Sequence, residues 1–351
     1  MAAGRVAWID HAKGLGILLV ILMASVAGPY SPAEEGNWMA GVAAWAAPIT
    51  LPAFFLIAGL FLHRSLFGSR TAYFDRKVLH FAWFFAVWLA IETLVFHASA
   101  IFANPAEFVR LYLAGWVAPQ GPLWFIHELA LFYIVTRLVR RMPVQRLFVA
   151  AVLLQLLHAA GLFQTGWAVV DRFAAFYVFF LAGYAGVALV FRFARAIPDR
   201  APDMVRALAV WFGVHTLFVA FGIAGLPLVS LTLGFAGAFA IVAAGVMLSW
   251  IPAAHSIGEI GRHSLAVYLG FWIPMHLMQA VLSGGQVIII PDPGTASLMT
   301  AAAALAISLG LYRRLIQTPL RVLYVRPRML RLRPARSSQR GSLLSSAVPE
   351  A

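Results

Sequence analysis

Of the 351 residues, 62% are hydrophobic and only 11% charged, with a mean hydropathy of +0.86. A soluble domain carries about 25% charged residues, so this chain lacks the polar side chains to clothe a water-facing surface. The net charge of +13 sits in short loops beside apolar runs, which suits topology and contact with anionic lipid rather than nucleic acid. No cysteine is present, so disulfides and thiolate metal sites are excluded and no metal is expected.

A membrane span needs about 20 mostly apolar residues. Ten stretches qualify in chain order: 14–30, 39–62, 78–97, 122–139, 146–163, 172–191, 206–224, 227–249, 263–283 and 295–312. The fourth and fifth are short. Backbone groups in lipid must be paired within the segment, so helices are expected. With the N-terminus placed in the cytoplasm, only Arg110 and Arg172 of the 26 Lys and Arg residues fall in outer segments, the asymmetry that positive-inside orientation predicts. The expectation is an all-α integral membrane protein: a bundle of about ten transmembrane helices, both termini cytoplasmic. The N-terminus shows no cleavable signal pattern. Residues 1–316 read as the membrane-embedded domain and 317–351 as a basic, disordered cytoplasmic tail with an interfacial stretch around LRVLYVRPRMLRLR.

Ionisable groups at membrane depth are functional candidates by default. The opening stretch places Asp10, His11 and Lys13 at the mouth of an apolar helix. Lys13 and Ala24 are eleven residues apart, three turns within about 20°, so they share a face with a separation of about 16 Å. The quieter reading is that Asp10, Lys13 and Gly14 cap and anchor the helix. In GPLWFIHELALF, His127 and Glu128 follow a helix start, where capping and a polar pocket are equal alternatives. Glu92 lies in the third stretch. Lone histidines such as His80, His158 and His215 are expected to satisfy themselves on neighbouring carbonyls. The loop HRSLFGSRTAYFDRK gathers His63, Arg64, Arg70, Arg76 and Lys77. Positive-inside signalling accounts for Arg64 and Arg70. Arg76 and Lys77, abutting the third stretch, also suit the phosphates of a nucleotide-like donor.

WIDHAKGLGILLVILMAS resembles the opening signature of the acyltransferase-3 family of integral-membrane acyltransferases, Asp-x-x-(Lys/Arg)-Gly followed by histidine eleven residues after the basic residue. LPAFFLIAGLFL is similar to the family's second span through Pro52, Phe54, Phe55 and Gly59. GPLWFI, DRFAAFYVFFLAGYA (closing in Gly183–Tyr184) and IGRHSLAVYL (Gly261, Ser264, Tyr268) follow in order, with the fucose-4-O-acetylase-like branch the nearest in flavour. The resemblance implies transfer of an acyl group, acetyl or succinyl, from cytoplasmic acyl-CoA to a hydroxyl of a sugar or envelope glycan in the bacterial inner membrane. It implies that Lys13 steadies the donor or developing charge, that Asp10 orients Lys13 or the helix mouth, and that the histidine is general base or transient acyl carrier.

Here that histidine is replaced by Ala24. Ser25 is 100° round the helix and would itself need a base. His11 lies near the cytoplasmic end, whereas His127 and His276 could approach from other helices. A catalytically silent scaffold or binding subunit of envelope-glycan machinery is the rival reading. A small-solute transporter relaying protons through Glu92 and Glu128 is a third, against which no paired Gly/Pro-broken spans occur in matching halves.

Overall fold

The computed structural model describes residues 6–27, 37–283 and 292–332, apart from the side chains of His63, Arg64 and Ser283. The helices are α1 (Ala7–Ser25), α2 (Trp38–Leu60), α3 (Leu79–Phe96), α4 (Ala106–Val117), α5 (Trp124–Leu138), α6 (Val144–Ala159) and α7 (Ala168–Ala185). They continue as α8 (Val187–Ala196), α9 (Ala201–Ala220), α10 (Pro227–Leu248), α11 (His255–Arg262), α12 (Ser264–Gly270), α13 (Trp272–Ser283) and α14 (Pro293–Leu315). Among the described residues there are no strands. The all-helical membrane fold expected from composition is what forms.

Each predicted stretch coincides with helix over most of its length; residues 28–30 of the first lie outside the described ones. Among the described residues, seven helical segments are long and apolar enough to cross a bilayer, or eight if the bent pair α12–α13 counts as one. α5 and α6, with 15 and 16 residues, reach about 22–24 Å against a hydrocarbon core of about 30 Å. The stretch at 263–283 is broken rather than continuous, with a 45° bend between its halves. Pro274 explains the break: near the start of α13 it lacks an N–H and crowds the carbonyl four residues back, which belongs to Gly270. The stretch at 172–191 also divides, at Gly186 between α7 and α8.

Two glycine contacts bring the central helices together. A Cβ at Gly14 of α1 would strike the Ile257 carbonyl oxygen, and one at Gly261 of α11 would strike that of Asp10. A Cβ at Gly59 of α2 would meet the Phe180 carbonyl, and one at Gly183 of α7 the Leu56 carbonyl. Small residues at such crossings allow the backbone approach on which packing in lipid depends. α1 therefore packs on α2, α10, α11 and α14, and α2 on α7 and α10. In contrast, the span containing α9 is only 6% buried and stands at the periphery.

Of the tail expected from residue 317, residues 317–332, which take in most of the interfacial stretch, carry two 3-10 turns, Pro319–Leu323 and Arg328–Leu330, with Tyr324 and Arg326 buried. Residues 333–351 lie outside the described ones.

Candidate active site

Beside α1 lies a cavity of about 630 Å³. Lys13, Ile17, Val20 and Ala24 line it from one stripe of that helix, spaced by four, three and four residues, the signature of a single helical face. The facial alignment of Lys13 and Ala24 thus opens on one shared space. Opposite them, α2 contributes Phe54, Ala58 and its C-cap residue Phe61, and α5 contributes Ile126, Leu129 and Tyr133 behind Pro122. α12 adds Ser264 and Tyr268, and the bend before α13 adds Phe271 and Trp272.

Lys13 and Lys77 are the charged residues of this lining. The Lys13 Nζ sits 4.8 Å from the centre of the Phe61 ring. The Lys77 Nζ donates to the Phe61 carbonyl at 3.2 Å and lies 4.9 Å from the Tyr133 ring. Phe61 ends α2, where carbonyls lack intrahelical donors, so the Lys77 ammonium also serves as a C-terminal cap. Both cations are thereby gathered at one end of a largely apolar chamber.

The remaining candidates fall elsewhere. Asp10 is buried, with the Arg262 Nε at 3.6 Å. It ties α1 to α11 one turn from Lys13 and does not line the cavity. Arg76 is exposed and separate from the lining, although its neighbour Lys77 is part of it. His127 packs against Phe85 with ring centres 5.1 Å apart. Glu128 is fully buried, both carboxylate oxygens without a hydrogen-bond partner among the described residues. Neither lines the cavity, although Ile126 and Leu129 on the same helix do.

None of His11, His127 and His276, the candidate substitutes for a base at position 24, lines the cavity. The His11 Nδ1 is 3.0 Å from the Ala7 carbonyl oxygen, and the His276 Nδ1 is 3.1 Å from that of Trp272. Ser25 turns its hydroxyl back to the Leu22 carbonyl at 2.8 Å. Besides the two lysines, residues bearing hydroxyls line the cavity. Tyr268 donates to the Pro122 carbonyl, Tyr133 lies 3.5 Å from the Ala58 carbonyl, and Ser264 opens α12.

Phe61 and Tyr133, which position the lysines, carry no charge and escape a search for ionisable residues. Their signal was periodic: Pro122, Ile126, Leu129 and Tyr133 follow the four–three–four spacing of one helical face.

A protein-family model described as an acyltransferase domain matches residues 6–313. No curated protein and no solved structure matches the chain.

Proposed function

The chain belongs to the acyltransferase domain family, and on that footing we propose that it is a membrane-bound O-acyltransferase using a cytoplasmic acyl-CoA donor and a sugar or glycan hydroxyl acceptor. The observation that carries this reading is the single cavity joining Lys13 to Ala24 along about 16 Å of α1. Lys13 and Lys77 hold the phosphates of the donor at the cytoplasmic end through charge-assisted hydrogen bonds. The apolar stripe of Ile17 and Val20 accommodates the extended thioester arm, which delivers its carbonyl to the level of Ala24. Trp124, Phe125 and Trp272, which also line the cavity, offer flat apolar faces to a sugar ring. The positive-inside distribution of Lys and Arg supports a cytoplasmic Lys13 end, and the acyltransferase reading puts the protein in a bacterial inner membrane.

In the transfer, the acceptor oxygen attacks the thioester carbonyl. A C–O bond forms, the C–S bond breaks, and the hydroxyl proton passes to a base or the departing thiolate. The family resemblance places an imidazole at position 24 for that proton; alanine has none. The chain therefore retains donor binding and carries out slow turnover, with the thiolate as the eventual proton acceptor. A titration of purified protein with acetyl-CoA and succinyl-CoA, beside an acyl-transfer assay on a sugar panel, tests this. Binding with weak transfer supports it; a protein that binds neither donor contradicts it. Binding with no transfer at all selects a silent binding subunit instead.

A further inference from the structure

Beyond α14 the chain folds back across α3. The Trp83 indole N–H donates to the Val322 carbonyl at 3.2 Å, and that of Trp88 to the Leu323 carbonyl at 3.0 Å. Arg326 is buried at 5% exposure. Its guanidinium donates to the Asp75 backbone carbonyl at 2.6 Å and also to the Asp75 carboxylate, which accepts the Leu332 N–H at 2.8 Å as well.

Asp75 belongs to a π-helical turn, Phe74–Val78, that leads into α3. Such turns are rare and occur frequently at functional sites. Lys77 lies two residues further on the same turn. Side chains two apart on a helical turn point to nearly opposite sides. One side of the turn is accordingly gripped by Arg326, while the other delivers the Lys77 ammonium to Phe61 and the cavity. A rotation of the turn that released Asp75 would also swing Lys77 away from Lys13.

We propose that Arg326 and Asp75 are positioning residues: the segment 317–332 is a strap whose latch onto the π-helical turn holds Lys77 at the cavity mouth and so sets affinity for a phosphate-bearing donor. This rests on the reading of that mouth as the donor's anion site. An arginine suits the task because its planar fork engages the carboxylate and the carbonyl together, which a lysine cannot reproduce.

The test uses the full chain, purified in detergent, with coenzyme A as the probe. Lys77→Ala and Arg326→Ala are each expected to weaken coenzyme A binding about tenfold, and Arg326→Lys to fall between Arg326→Ala and wild type. Because the chain has no cysteine, the pair Asp75→Cys/Arg326→Cys can be tied by a short, reducible bifunctional thiol linker. Tied, the protein should bind coenzyme A within about twofold of wild type; reduced, it should lose about tenfold, at an unchanged thermal midpoint in the tied form. The inference is overturned if Lys77→Ala weakens binding while the reduced pair and Arg326→Ala bind as wild type, a result that leaves the donor site standing. If Lys77→Ala binds coenzyme A as well as wild type, the donor-site reading itself fails and the latch falls with it.

Discussion

The ammonium groups of Lys13 and Lys77 converge on the two sides of one residue: the first lies over the Phe61 ring at 4.8 Å, and the second donates to the Phe61 carbonyl at 3.2 Å. Both cations line the one cavity, where a single phosphate-bearing anion would meet the two together. Lys13→Ala and Lys77→Ala should therefore each raise the donor dissociation constant about tenfold or more. The double variant should lose less than the product of the two, because the cations act on one anion. Equilibrium titration at two ionic strengths checks this, with wild-type binding weaker at high salt and the double variant nearly insensitive to it.

Ala24 offers a gain-of-function test. Ala24→His places an imidazole on the stripe shared by Lys13, Ile17 and Val20, where it can accept the acceptor's proton. General-base assistance contributes about 100-fold or more, so acyl transfer should rise by that order with little change in donor affinity. Ala24→Trp fills the same space with an indole that has no basic nitrogen, and should depress both donor binding and transfer. Single-turnover kinetics with an acetyl-CoA donor separate the two effects.

The crossing of α1 and α11 is where structure is least tolerant. Gly14 and Gly261 each face a backbone carbonyl across that crossing, so Gly261→Ala must push the helices apart. Overpacking of this kind costs about 1–3 kcal/mol, and the displaced turn also carries Asp10 and Arg262. A lowered thermal midpoint in detergent, with donor binding lost in parallel, is the expected outcome; Gly41→Ala on α2, where a Cβ meets nothing, is the control that should leave the midpoint unchanged.

The fold was legible in the sequence to the extent that it depends on apolar length and helical period. The predicted stretches coincide with helix over most of their described length, and Lys13 and Ala24, aligned by spacing alone, line one cavity. Two of the three histidines expected to be ordinary meet carbonyls, the His215 Nε2 that of Trp45 at 2.8 Å and the His158 Nδ1 that of Phe163 at 3.1 Å, while His80 packs edge-on against Phe81 and Phe84. What spacing along one chain cannot supply is how helices rotate against one another. For that reason His127 and Glu128, plausible at a helix start, are not among the residues lining the cavity, and Lys77 was separable from Arg76 only once the π-helical turn fixed their directions. The strap escaped notice because its arginines read as tail charge. Only the partner Asp75, more than 240 residues earlier, distinguishes Arg326 from its neighbours.

The central claim is that a thioester donor lies along α1 in the cavity between Lys13 and Ala24. The most direct measurement is photolabelling of the purified protein with an acyl-CoA analogue carrying a photoreactive acyl chain, followed by peptide mapping. Labelling concentrated on the α1 stripe of Ile17, Val20 and Ala24, competed by coenzyme A and abolished in Lys13→Ala/Lys77→Ala, is the predicted result. Labelling confined to the peripheral helix α9, or insensitive to coenzyme A, would contradict it.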